Sequence, residues 1–307
     1  MKPSTWSAAR TFIYRNARPL DLARWQYHFE GGRKEAVLDA LQHYQNSDGG
    51  FGHALEPDAW NPISTPIQTW AATEVLREID FWDREHPLVQ GTLRYLMSGR
   101  DFDGQLWYNS VRSNRDFPHA PWWEVTEDST AGDNENPTAC LAGFLIRVAK
   151  PDSAAFALGT RLAREAAARL AEGERQHEMH TLACYVRLYE YLLTAGVKDA
   201  VDLPALEGML RGLIRQSIIQ DQRLWDGGYV CLPSRLIDST QSPFLDENRA
   251  LVAAEAEWLA NTQLPDGSWR IPWCWGAYPE AWAVSETWWK GSIAVQNMRL
   301  IKRFGSN

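Results

Sequence analysis

The sequence predicts an all-helical protein in which about five to six helical hairpins close into a ring around a central cavity. Three observations lead there: ten or eleven segments have apolar residues at helical spacing, an Asp-Gly turn recurs, and the chain contains 16 tryptophans. A helical hairpin cannot bury its apolar face alone, so neighbouring hairpins must pack together. Tryptophan clusters near the middle and the C-terminus favour closure over an open solenoid. The first and last helices would then meet.

An Asp-Gly turn beside an aromatic residue marks the repeat. Aspartate tolerates turn geometry, and glycine supplies a positive φ. At least three of these turns directly follow an amphipathic helix, which indicates an internal repeat. The four turns lie at residues 45–52, 102–107, 224–229 and 263–269.

The helices follow in order from apolar spacing, prolines and capping residues. Pro66 and Pro87 stand where a first helical position is expected, and Thr65 precedes Pro66 as an N-cap. Asn136 and Pro137 are expected to cap another helix. The predicted helices cover residues 4–16, 20–29, 33–44, 154–171, 181–193, 203–218 and 246–261, with others starting at 66, 87, 137 and about 285. We expect one domain, residues 1–307.

Composition argues against several classes of function. The net charge of −8 disfavours nucleic acid as a partner. We see no signal peptide at the N-terminus and no apolar run of the roughly 18 residues that a membrane span needs, so we expect a cytoplasmic protein without a transmembrane segment. The four cysteines form no close pair, which predicts free, buried thiols. No metal, cofactor or obligate partner is expected.

Two irregular stretches, residues 53–62 and 105–135, carry many of the side chains suited to binding or catalysis. A loop as long as the second is usually functional or disordered, and its aromatic content argues against disorder. Paired tryptophans beside proline, histidine and glutamate suit a core poorly because each indole N–H needs a partner. We expect them to line a cavity; surface acids and packing tryptophans are the alternatives. The candidate substrate-binding residues here are Glu56, Asp58, Trp60, His119, Trp122 and Trp123.

A third patch of aromatic and acidic residues precedes the last predicted helix. If the ring closes, this patch should face the loop of Glu56 or that of His119 across the cavity mouth. His177 and His180 are three residues apart and could share a helical face, but we predict no metal site there. The candidate substrate-binding residues of the third patch are Trp273, Trp275, Tyr278, Glu280, Trp282 and Glu286.

The turns resemble the QW repeat of squalene and terpene cyclases and of protein prenyltransferase β-subunits. Gln263-Leu264-Pro265-Asp266-Gly267-Ser268-Trp269 carries the resemblance, and residues 45–52 are similar. The resemblance implies an α/α toroid and a structural role for the turn, which ties the end of one helix to its neighbour. Prenyltransferase β-subunits bind zinc through an Asp-x-Cys motif, and this sequence contains none.

Class II cyclases of this superfamily protonate an alkene with the middle aspartate of a DxDD-Thr-Ala motif. Asp133-Asn134-Glu135-Asn136-Pro137-Thr138-Ala139 is similar but lacks the Asp-Asp pair, and a plain helix cap is the alternative. The acid must be held neutral and made strongly acidic. The candidate catalytic residues are Glu124, Asp133 and Glu135.

The resemblance therefore implies a terpenoid-cyclase-like enzyme that acts on an isoprenoid or other apolar substrate in an aromatic cavity. Indole faces could stabilise carbocations there. The same toroidal architecture hosts polysaccharide lyases and glycoside hydrolases, in which indoles stack on sugars and paired carboxyl groups do acid–base work. A carbohydrate-active protein is thus one alternative. A non-catalytic scaffold that binds a ligand or a protein is the other.

Overall fold

The computed structural model describes residues 3–125, 135–173 and 178–305. Within these ranges the chain forms eleven α-helices and no β-strand, which confirms the all-helical fold class. The helices are α1 Pro3–Asn16, α2 Pro19–Phe29, α3 Lys34–Gln42, α4 Pro66–Glu78, α5 Pro87–Met97, α6 Thr138–Val148, α7 Ala154–Ala171, α8 Met179–Ala195, α9 Leu203–Ser217, α10 Leu245–Asn261 and α11 Pro279–Phe304.

The helices pack into two compact units, Met1–His43 with Ile218–Asn307 and, separately, Tyr44–Ser217. In the first unit α11 packs on α1, α2 and α10, and α2 packs on α3. The first and last helices of the chain therefore contact each other, as predicted. In the second unit α6 packs on α4, α7 and α8, and α8 packs on α9. Closure of a ring and a single domain stay predictions.

Proline at the first helical position explains where several helices begin. Pro66 and Pro87 start α4 and α5 as predicted, and the Thr65 side chain accepts a hydrogen bond from the Gln68 N–H at 3.2 Å. The predicted start of the last helix near residue 285 is wrong. Helix α11 begins at Pro279, so Glu280, Trp282 and Glu286 lie in its first turns and not in a loop.

The predicted cap of α6 is also wrong. The helix begins at Thr138, with Pro137 at the N-cap position and no side-chain hydrogen bond to cap it. The Thr138 hydroxyl instead accepts a hydrogen bond from the Trp107 N–H at 2.8 Å. This hydrogen bond therefore holds the chain at Trp107 against the start of α6.

Glutamine ties two of the Asp-Gly turns to neighbouring helices. Gln45 Nε2 donates to the carbonyl of the turn residue four positions later, at 2.9 Å, and to the carbonyl of Leu88 in α5, at 3.0 Å. Gln263 Nε2 makes the same two contacts, to its own turn and to Thr5 in α1, both at 3.0 Å. In these two turns the glutamine therefore ties the end of one helix to another helix, which is the structural role expected of the repeat.

Glycine is required in these two turns by both conformation and space. Gly49 has a φ of +95°, and a Cβ there would lie 2.1 Å from the Gly91 carbonyl oxygen. Gly267 has a φ of +92°, and its Cβ would lie 2.1 Å from the Ala8 carbonyl oxygen. The turn at 224–229 differs, because its positive φ occurs at Gly228.

Helix hydropathy and cysteine burial bear on two further predictions. None of the helices in the described ranges is long and apolar enough to cross a membrane. Three of the four cysteines are buried, as expected, whereas Cys274 is exposed, so the prediction of burial is wrong at that position.

Candidate functional site

Two of the predicted loops lie side by side within the unit Tyr44–Ser217. We call residues 53–62 the Glu56 loop and residues 110–125 the His119 loop. A single antiparallel bridge joins Ala59 to His119. Backbone hydrogen bonds of 2.9 and 2.8 Å flank this bridge. The structure thus brings together two groups of candidate residues that are far apart in the sequence.

A buried amide in the first turn of α4 holds the Glu56 loop. The Gln68 side chain is inaccessible to solvent, and its Oε1 accepts from the Leu55 N–H at 2.8 Å. Its Nε2 donates to the carbonyls of Ala59 and Asn61, at 3.3 and 2.9 Å. One side chain therefore satisfies three backbone groups that would otherwise be costly to bury.

A second amide joins the two loops directly. Asn61 is fully buried, and its Nδ2 donates to Ser113 Oγ at 2.7 Å and to Asn114 Oδ1 at 3.0 Å. Asn114 in turn donates from Nδ2 to the carbonyl of Trp123 at 3.1 Å. The segment that carries the paired tryptophans is therefore fixed through side chains to the Glu56 loop.

The acids of the Glu56 loop are buried, so the alternative of surface acids is wrong for them. Glu56 is 7% exposed and Asp58 is 3% exposed. Glu56 Oε2 accepts from the indole N–H of Trp123 and from the backbone N–H of Asp58, both at 3.1 Å. A buried carboxyl group requires such donors, because desolvation penalises its charge.

Glu124 lies at the exposed side of the His119 loop. His119 is buried, and its Nδ1 donates to the Phe117 carbonyl at 2.7 Å, while Nε2 lies 2.8 Å from Glu124 Oε2. Arg115 Nε lies 3.2 Å from Glu124 Oε1. The hydrogen bond to His119, and that to Arg115, hold the pKa of Glu124 below its usual value. A lowered pKa favours the carboxylate form, which argues against Glu124 as the proton donor of a cyclisation.

Aromatic side chains stand beside these acids. Trp122 and Trp123 form a short 3₁₀ turn, Pro121–Trp123, and Trp122 is 44% exposed. Trp123 and Trp60 are half-buried. The site thus combines an exposed indole, a buried carboxyl group and an exposed carboxylate within two loops that are fixed to each other.

The other two candidate proton donors are not placed for that role. Asp133 lies outside the described residues. Glu135 is 2% exposed and forms an ion pair with Arg169 of α7. A neighbouring guanidinium favours the charged form of a carboxyl group, whereas alkene protonation needs the neutral acid.

The third patch divides into two parts in the unit Met1–His43 with Ile218–Asn307. Trp275 is 3% exposed and packs on Trp282, with ring centroids 5.7 Å apart, so it is a core residue. Trp273 is half-buried and makes edge contacts with Tyr229 and Trp289, at 5.2 and 5.3 Å between centroids. Trp273 therefore belongs to an aromatic cluster that the sequence analysis did not identify.

The rest of the patch lies at the start of α11. Tyr278 is 44% exposed and Glu280 is exposed. Glu286 pairs with Lys290 one turn later, at 2.8 Å. The expected position of the patch opposite the other loops stays a prediction.

Histidine and acidic side chains form no metal-binding group in the described part of the chain, where no three His, Cys, Asp or Glu residues lie close enough together. His177 lies outside the described residues. His180 Nε2 lies 3.6 Å from Glu178, whose carboxylate also caps α8.

Comparisons with protein-family models, with curated proteins and with solved structures found no match for this chain. The residues of the Glu56 and His119 loops are therefore the basis on which a function is argued.

Proposed function

We propose that the chain is a carbohydrate-active protein whose sugar site is formed by the Glu56 and His119 loops. The observation that supports this best is the buried Glu56 carboxyl group, bound by the Trp123 indole next to the exposed ring of Trp122. Ligand sites typically combine aromatic walls with a few fixed polar groups.

The polarity of the site favours a sugar over an isoprenoid. Sugar hydroxyls both donate and accept hydrogen bonds, so they can pair with carboxylate oxygens that only accept. A wholly apolar substrate would desolvate the Glu124 carboxylate without offering it a donor, which is costly. The flat face of Trp122 provides an apolar surface for a sugar ring to stack upon.

The proposed reaction is glycoside cleavage. Glycosidases use one carboxylic acid to protonate the leaving oxygen and a second, ionised carboxylate as base or nucleophile. We assign the ionised role to Glu124, whose pKa is lowered by His119 and Arg115. Glu56 is assigned the role of proton donor, because its near-complete burial disfavours a charged carboxyl group.

A terpenoid-cyclase-like activity is the second candidate. It is favoured by the cluster of Tyr229, Trp273 and Trp289, whose ring faces could stabilise a carbocation. Incubation with prenyl diphosphates and with squalene-like polyenes, followed by mass spectrometry, tests it. A cyclised product would support this candidate over the first.

The sugar site is tested by calorimetry against a panel of neutral, acidic and amino oligosaccharides. Replacing Trp122 by alanine should weaken binding about fivefold, because one aromatic contact contributes about 1 kcal/mol. Trp122→Phe keeps an aromatic face and should weaken binding less. Leu224→Ala is the matched control. Leu224 is also a large exposed side chain, 53% exposed, but it lies in the other unit. Absence of any bound sugar, or equal affinity in the alanine variant, contradicts the proposal.

Catalysis is tested separately from binding. Release of reducing ends from polysaccharides should fall at least about a hundredfold in Glu56→Gln and in Glu124→Gln, as is typical for loss of an acid–base group. If the protein binds sugars but cleaves none, the catalytic assignment fails. The chain is then a binding module, which agrees with the third possibility, a non-catalytic scaffold.

A further inference from the structure

A serine and a buried glutamate form a close pair in the unit Met1–His43 with Ile218–Asn307. Ser234 is the second residue of the short 3₁₀ turn Pro233–Arg235, and Glu255 lies on α10. The Ser234 hydroxyl donates to Glu255 Oε1 at 2.5 Å, and the Ser234 backbone N–H donates to Oε2 at 2.7 Å. Glu255 is 1% exposed, whereas Ser234 is partly accessible to solvent.

The pair is held in a fixed orientation from both sides. Pro233 fixes its own backbone φ at the first position of the turn, and the two hydrogen bonds to Glu255 orient Ser234. Both oxygens of Glu255 are engaged by the same residue, which fixes the carboxyl group against the hydroxyl. This is the geometry that a general base needs relative to a hydroxyl nucleophile.

Arg235, the residue after Ser234, carries a positive charge that acts on Glu255 and also contacts an aromatic ring. The guanidinium carbon of Arg235 lies 5.4 Å from the centre of the Tyr229 ring, which also contacts Trp273. The indole nitrogen of Trp273 is buried and has no hydrogen-bond partner within the described residues. Tyr229 is exposed, so a ligand with an apolar ring suits these surroundings.

We propose that Ser234 is a nucleophile and Glu255 its general base, in a second site that cleaves esters with an aromatic or other apolar group. Neither residue belongs to the sugar site, so this proposal stands independently of the function proposed above.

The reaction balances without a cofactor. The Ser234 oxygen attacks the ester carbonyl, and as the new C–O bond forms, the hydroxyl proton moves to Glu255. The bond to the leaving alcohol then breaks, and the departing oxygen takes that proton. Water repeats the sequence on the acylated serine, which releases the carboxylic acid and restores the Ser234 hydroxyl. The Arg235 charge, which acts on Glu255, is the positive group that we assign to the developing oxyanion.

The electrostatics of Glu255 suit this role. Burial raises the pKa of Glu255 to about 7, against the lowering effects of the Ser234 hydrogen bonds and of the Arg235 charge. A general base acts best when its pKa lies near the working pH. Glu255 is thus partly ionised at neutral pH and can accept a proton there.

The experiment uses an aryl-bearing fluorophosphonate and peptide mass spectrometry of the full chain. Attack by the Ser234 oxygen displaces fluoride and leaves a stable phosphonyl ester. We expect Ser234 to be labelled ahead of the other serines, at a rate that rises with pH around 7. Glu255→Gln should slow labelling by at least about a hundredfold. Glu257→Gln, which changes an exposed glutamate two residues later on α10, is the control and should label at the original rate.

Two results overturn the proposal. The first is absence of label at Ser234. The second is equal labelling in Glu255→Gln, and either would mean that the pair only anchors the turn to α10. If Glu255→Gln does not fold, Glu255→Asp replaces it: the charge is kept but withdrawn by one methylene, and labelling must still slow.

Discussion

The buried carboxyl group of Glu255 should make the stability of this protein fall as pH rises. Its pKa is raised from 4.5 to about 7 by burial. The native state therefore binds a proton more tightly than the unfolded chain does. A raised carboxyl pKa contributes stability that is present below pH 4.5 and is lost as pH rises through about 7. Above that range the contribution is constant.

This rise in pKa from 4.5 to about 7 contributes on the order of 3 kcal/mol to the free energy of unfolding at low pH, at about 1.36 kcal/mol for each pH unit. About 2.5 kcal/mol of this falls between pH 5 and pH 8, by the same linkage relation. That is a large change for a protein whose whole stability is expected at about 5–15 kcal/mol. It should be measurable by urea denaturation.

Glu255→Gln removes the titration and keeps the hydrogen bonds. The glutamine Oε1 can accept from the Ser234 N–H, and its Nε2 can donate to the Ser234 hydroxyl. We expect the variant to gain about 2.5 kcal/mol relative to the original protein between pH 5 and pH 8. Other groups titrate in both proteins, so the difference between the two isolates Glu255.

The assay is urea unfolding at pH 5, 6, 7 and 8, followed by tryptophan fluorescence and far-ultraviolet circular dichroism. Glu257→Gln, in which the altered side chain is exposed, is the control. If the difference between Glu255→Gln and the original protein is the same at all four pH values, Glu255 titrates like an exposed acid. The reasoning from burial is then refuted, and with it the electrostatic support for Glu255 as a base.

Three further predictions concern the turns and the sugar site. Gly267→Ala should lower the free energy of unfolding by at least about 2 kcal/mol more than Gly104→Ala, as judged by urea unfolding, because both have φ above +90° but nothing lies within 4 Å of a Cβ at Gly104. Asn61→Ala should lower the free energy of unfolding by about 2 kcal/mol in the same assay, because the two loops lose their buried link. In the Asn61→Ala background, Trp122→Ala should no longer weaken sugar binding. If Trp122→Ala weakens binding there as much as in the original protein, this prediction is contradicted. Arg115→Gln should raise the pKa of Glu124, and carbon-13 NMR of the carboxyl group measures the shift; no change would show that Arg115 does not act on Glu124 in solution.

Local signals explain what could be predicted from the sequence. Glutamine, aspartate and glycine at fixed spacing predicted the turns and their ties, because these contacts depend on a few neighbouring residues and one adjacent helix. Pro66 and Pro87 marked helix starts for the same reason. The start of α11 at Pro279 was not predicted, although proline at a first helical position is an ordinary start signal. The residue before it, Tyr278, has a φ of +48°, and the surrounding aromatic residues suggested a loop.

The candidate site could be predicted only in part. The residue types of the Glu56 and His119 loops suggested chemistry, but their meeting depends on Gln68, Asn61 and Asn114. No spacing in the sequence distinguishes these amides from solvent-exposed ones. Trp275 shows the converse case, because a tryptophan in a loop that is rich in Pro and Gly is buried when another ring, Trp282, covers it.

The way in which the two loops are held bears on the choice between a structural and a functional role. A loop needs few buried polar side chains if it only connects helices, because solvent can satisfy its backbone. Here three amides are buried to fix the Glu56 and His119 loops, and burial of each amide is costly unless its bonds are complete. The result is an irregular but rigid surface that keeps Trp122 exposed and Glu56 buried. Rigid placement of exposed aromatic and acidic groups lowers the cost of ligand binding, and this favours a binding site over a mere connection between helices.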